Sequence, residues 1–95
     1  MKVFWTAKAL DDLVSAFDYI AQDNEATAVH VMAAIVTYVE KQLTDYPRSG
    51  RDGRVTGTLE LVIPKLPYVV PYRLKGSQIE VLRVYHTSRL WPDML

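Results

Sequence analysis

The chain contains no cysteine, which excludes disulfides and thiolate metal sites at the outset. Its histidines, His30 and His86, have no ligand spacing around them, so no resident metal is expected. Glycine is scarce, and Gly50-Arg51-Asp52-Gly53 matches no loop that cradles phosphates; no cofactor is expected either. Ser15, Ser49, Ser77 and Ser88 lack the strand-turn-helix setting of a nucleophile elbow. No apolar run approaches the roughly 20 residues that span a bilayer, so no membrane partner is expected. Met1-Lys2-Val3-Phe4-Trp5-Thr6 lacks the long apolar core of a secretion signal, which leaves a cytoplasmic protein as the expectation.

What is present fits one small domain, residues 1–95, with 49% hydrophobic residues. Charge is balanced overall but not along the chain. Residues 1–46 hold three basic side chains (Lys2, Lys8, Lys41) against seven acidic ones (Asp11, Asp12, Asp18, Asp23, Glu25, Glu40, Asp45). Residues 47–95 hold eight basic ones (Arg48, Arg51, Arg54, Lys65, Arg73, Lys75, Arg83, Arg89) against four acidic ones (Asp52, Glu60, Glu80, Asp93), so the halves sit at −4 and +4. Such a division suits a basic working surface on an acidic body.

Three segments rich in β-branched and aromatic residues read as strands: Arg54 to Ile63, Tyr68 to Leu74, and Ile79 to His86. Pro64-Lys65-Leu66-Pro67 and Lys75-Gly76-Ser77 separate them, and connections this short imply antiparallel neighbours. Alternation puts Tyr68, Val70, Tyr72 and Leu74 on one face and Val69, Pro71 and Arg73 on the other. It puts Leu82, Val84 and His86 opposite Val81, Arg83 and Tyr85. Pro71 has no ladder donor, so local irregularity is expected there. Arg83 is expected on the open face, or paired with Glu80 or Glu60.

Ahead of these strands, Lys2 to Trp5 reads as a short strand joining the sheet. Thr6 then caps a helix from Ala7 to about Gln22, with Leu10, Leu13, Val14, Phe17, Ile20 and Ala21 as its apolar stripe. Asp11, Asp12, Asp18 and Lys8 are assigned to its wet face. Asp23 or Asn24 caps a second helix from about Glu25 to Thr44, striped by Ala28, Val31, Met32, Ile35, Tyr38, Val39, Gln42 and Leu43. Tyr46 to Arg54 reads as a loop. The order β-α-α-β-β-β predicts a two-layer α+β domain, a helical hairpin packed on a small antiparallel sheet with its second face open.

Trp5-Thr6-x-x-Ala9-x-x-Asp12-Leu13, Asp18-Tyr19-Ile20-Ala21, Pro47-x-x-Gly50-Arg51, Glu60-Leu61-Val62-Ile63, Tyr68-Val69-Val70-Pro71-Tyr72-Arg73 and Ile79-x-Val81-Leu82-Arg83-Val84-Tyr85-His86-x-x-Arg89-x-Trp91 together resemble the RelE/ParE-family toxins of type II toxin–antitoxin systems. The resemblance covers nearly the whole chain and implies a cognate antitoxin, a toxin–antitoxin hetero-oligomer and growth arrest. Two branches follow from it. RelE-like members are ribosome-dependent endoribonucleases acting on mRNA; the set here would be Arg83, Tyr85, His86 and Arg89. ParE-like members inhibit DNA gyrase by binding. Val69 and His86-Thr87-Ser88 stand where the ribonuclease pattern places arginines, which implies the ParE branch. In that reading Arg51, Arg54, Arg73, Arg83 and Arg89 contact the target, while Leu10, Leu13, Phe17 and Trp91 contact the antitoxin. A third reading is an inactive module that only binds antitoxin.

Overall fold

The computed structural model describes residues 1–88 and 95. Strand β1 (Lys2–Trp5) leads into helix α1 (Ala7–Ala21) and then helix α2 (Glu25–Asp45). Strands β2 (Arg51–Asp52), β3 (Leu59–Val62), β4 (Tyr68–Lys75), β5 (Gln78–Val81) and β6 (Tyr85–His86) follow. Thr6 caps α1 by accepting from the Ala9 N–H at 3.2 Å, and Asn24 caps α2 by accepting from Thr27 N–H at 2.9 Å. Each satisfies a donor that the first helical turn leaves without an intrahelical partner. Among the described residues no helix is long and apolar enough to cross a membrane.

The sheet is mixed, which corrects the antiparallel expectation. Its order is β1-β5-β4-β3-β2, with β6 pairing β4. β1 runs parallel to β5, with Val3 opposite Ile79 and Trp5 opposite Val81; the other pairings are antiparallel. Two further boundaries shift. The strand expected from Arg54 begins at Leu59, and the segment expected as loop contributes β2.

The strand expected to run unbroken to His86 is cut at Leu82–Val84, and Pro71 supplies the reason. In an extended strand the N–H and C=O of one residue point the same way. The Pro71 carbonyl faces β5 and accepts from both Leu82 N (2.9 Å) and Arg83 N (3.4 Å), so its missing donor lies on that side too. The neighbouring chain bulges where the ladder bond is absent. Two groups freed there are served from the N-terminal side of the hairpin: Leu82 O, which Pro71 cannot serve, accepts from Thr6 Oγ1 at 3.0 Å, and Val84 N donates to Asp12 Oδ2 at 2.9 Å. Thr6 N donates to Val81 O at 3.1 Å and so continues the β1–β5 ladder.

The core lies between the hairpin and one sheet face. Tyr68, Val70 and Tyr72 of β4 meet Ile79 and Val81 of β5, Leu61 of β3, and Ile35, Val39 and Leu43 of α2. α1 contributes less: Ala9 is fully buried, whereas Leu10 and Val14 are 49% and 60% exposed. The second face is open over only part of its area. Lys2, Phe4, Arg73, Lys75 and Gln78 are exposed there, while Glu60, Val69, Pro71 and Tyr85 are buried.

Candidate functional site

Arg83 does not project from the open face, and neither Glu80 nor Glu60 is its partner. Its guanidinium forms a two-pronged pair with Asp12 of α1, Nε to Oδ2 at 2.8 Å and Nη2 to Oδ1 at 3.0 Å. The bond to Asp12 holds the Arg83 guanidinium even higher than its usual value. Asp12 was expected on the wet face of α1; instead it turns inward, where it also receives Val84 N–H. A signal existed, since Asp12 shares the helical stripe of Ala9, Leu13 and Ala16.

Arg83 also lies over the Tyr85 ring, its Cζ 4.8 Å from the centroid, and Tyr85 is 1% exposed. His86, one residue on, points to the opposite face. It pairs with Tyr68 and meets that ring edge-on, with centroids 5.4 Å apart. Its Nδ1 accepts from Ser88 N–H at 3.2 Å and lies 2.7 Å from Ser88 Oγ. The neutral imidazole in that arrangement carries its proton on Nε2. His86 borders a cleft of about 420 Å³ with Asp12, Ser15, Tyr19, Tyr68 and Ser88. Tyr85 and His86 therefore lie back to back across the sheet. Arg89, the fourth member of the ribonuclease set, lies outside the described residues.

The remaining expected target contacts form two groups. Arg73 Nε donates to Glu80 Oε1 at 2.6 Å, and the side chain stays 45% exposed. Arg51 Nε donates to Glu60 Oε1 at 3.1 Å and is 54% exposed, whereas Glu60 is 2% exposed. The backbone N–H of Arg54 donates to the other oxygen of Glu60 at 2.8 Å, and the Arg54 side chain is exposed. The buried carboxylate thus fastens the 51–54 segment over the sheet. A second fastening holds the preceding turn. The buried Tyr72 hydroxyl accepts from Gly50 N–H at 2.9 Å and donates to Pro47 O at 2.8 Å. A Cβ at Gly50 would sit 2.7 Å from Tyr72 Cε1, so the close approach requires glycine. Arg51, Arg54 and Arg73 are consequently presented on ordered backbone.

Of the expected antitoxin contacts, Leu10 is exposed, Leu13 is half-buried and packs against the core, and Phe17 is half-buried; exposed Val14 extends the apolar flank that Leu10 begins. Trp91 lies outside the described residues. Among the described residues, no group of three or more His, Asp or Glu side chains could hold a metal.

The chain is thus a helical hairpin on a mixed sheet, with an apolar flank on α1 and exposed arginines on hydrogen-bonded backbone at the far side of the sheet. Residues 3–91 match the family model for the ParE toxin of the type II toxin–antitoxin system parDE. The chain belongs to this family and is the toxin component of a type II toxin–antitoxin system. It is 40% identical over 94 residues to a Sinorhizobium fredii protein that carries the toxin designation Y4kP, covering 99% of this chain and 96% of that one. It is 33% identical over 89 residues to toxin RelE2 of Caulobacter vibrioides, covering 94% and 98%. Its fold matches a structure of the chromosomal ParDE system from P. aeruginosa with a TM-score of 0.85 and 31% identity, covering 93% and 97% of the two chains.

Proposed function

We propose that this toxin arrests growth in the cytoplasm by binding DNA gyrase and trapping it on cleaved DNA, and that a cognate antitoxin neutralises it in a hetero-oligomer. The observation that carries the reading is the state of the would-be ribonuclease set. Arg83 is committed to Asp12, Tyr85 is buried, and His86 faces away from both. General acid–base cleavage needs its groups to converge on one reacting atom, and a phosphate clamp needs its guanidinium available. Arg51, Arg54 and Arg73, exposed and on ordered backbone, are the target contacts in this reading. The apolar flank of α1, exposed at Leu10 and bordered by the half-buried Leu13 and Phe17, is the antitoxin's seat in this reading. Purified toxin is expected to inhibit gyrase supercoiling at micromolar concentration; full supercoiling at that dose sinks the proposal.

A second reading has the exposed imidazole of His86 and the kinship to toxin RelE2 in its favour: a ribosome-dependent endoribonuclease. Translation-dependent cuts in mRNA after induction would establish it. Intact transcripts together with a DNA-damage response would dismiss it. An inactive module is separated from both by induction without antitoxin, because growth would then continue.

A further inference from the structure

The exposed part of the second sheet face carries two cations outside the expected set, Lys2 and Lys75. They occupy one cross-strand row, flanking Gln78 from the two neighbouring strands. The next row holds Phe4, Glu80 and Arg73, and Glu80 is already engaged by Arg73. The acidic side chains of the helical layer, such as Asp11 and Asp18, lie exposed on α1 on the other side of the molecule. The shortest principal extent of the fold is 24 Å, well beyond the roughly 8 Å Debye length at physiological salt, so those carboxylates are screened from this face. At contact range this face therefore acts as a cation although the whole chain is neutral.

We infer that this face binds the phosphate backbone of double-stranded DNA, with Lys2, Lys75 and Arg73 as its contacts. The inference rests on the gyrase reading for its setting, because there the DNA is already held beside the toxin. Two arguments favour duplex DNA over other occupants. Protein interfaces are depleted in lysine and centred on apolar anchors, whereas this patch is lysine-flanked with Phe4 alone as an exposed aromatic. Single strands are held on several stacked aromatics in succession, which one phenylalanine does not provide.

The test is fluorescence anisotropy of a labelled short duplex against free toxin over a range of salt, run beside a gyrase supercoiling assay. The double variant Lys2→Gln/Lys75→Gln is compared with Lys41→Glu, which changes the net charge equally on the helical layer. The double variant is expected to bind about tenfold more weakly at low salt and to show a log–log salt slope shallower by about 1.8, at about 0.9 for each phosphate no longer neutralised. Lys41→Glu is expected to bind as the wild type does. Unchanged duplex binding in the double variant, equal weakening in Lys41→Glu, or no duplex binding by the wild type overturns the inference. Preference for a labelled single strand, or competition by polyglutamate in place of duplex, also overturns it and points to another occupant. Failure of the inference is distinct from failure of the gyrase reading. Wild-type toxin that binds duplex through Lys2 and Lys75 but leaves supercoiling intact removes the target and keeps the surface.

Discussion

Asp12 ties two separate groups of the segment between β5 and β6 to α1. It answers the Arg83 guanidinium and Val84 N–H together, at a point where Pro71 has broken the ladder. Asp12→Asn keeps the shape and removes the charge, leaving a partly buried guanidinium poorly matched. The expected loss is about 1.5–3 kcal/mol, the range for hydrogen bonds to charged groups, read as a lower urea midpoint. Asp12→Asn/Arg83→Gln is expected to lose less than the two single changes combined, because the orphaned charge is gone. Tyr72→Phe acts on the turn instead. It deprives Gly50 N–H and Pro47 O of their partner, with an expected cost of about 1–2 kcal/mol and faster hydrogen exchange confined to residues 47–54.

This scale is also where reading from sequence reached its limit. The alternation of β4 was legible, and Tyr68, Val70 and Tyr72 face the core as their spacing dictates. The caps Thr6 and Asn24 were legible for the same reason, since capping is local chemistry. The Arg83–Asp12 pair was not, because it joins residues 71 apart and nearer carboxylates offered themselves. Pro71 announced an irregularity, but the distortion falls on the neighbouring strand, whose own sequence carries no break. The face bearing Lys2 was hidden too. It depends on a parallel pairing that no turn residue signals.

Among the elements, α1 differs from α2. The longer helix buries Ala28, Ile35, Val39 and Leu43, whereas α1 buries only Ala9 completely. Its stripe is therefore wider than the core beneath it, and a wet apolar flank is where a partner gains most from desolvation. Val14→Lys is expected to change stability by no more than about 0.5–1 kcal/mol while weakening antitoxin binding at least tenfold, measured by urea unfolding and calorimetric titration. The segment before β3 behaves differently. Gly50→Ala drives a Cβ to 2.9 Å from the Glu60 carbonyl and 2.7 Å from Tyr72, so a loss of about 1–3 kcal/mol is expected, with β2 exchanging its amides freely.

For the molecule as a whole, burial raises the Tyr68 and Tyr72 phenols above their ordinary 10.0. The unfolded chain then ionises first, and above pH 10.0 it binds fewer protons than the folded one. Stability is fully present below that pH and falls as pH rises through the folded values. Urea midpoints measured from neutral to strongly alkaline pH are expected to hold and then drop, and Tyr72→Phe is expected to soften the drop.

The parallel pairing of β1 with β5 has a consequence for folding. Lys2 waits for Gln78, and Thr6 closes on Leu82, so β1 is completed by residues more than 70 positions further along the chain. Contacts this distant along a chain form late. The β1 edge of the sheet therefore stays without its partner until residues 78–81 exist, and the surface that carries Lys2 beside Lys75 is assembled only then.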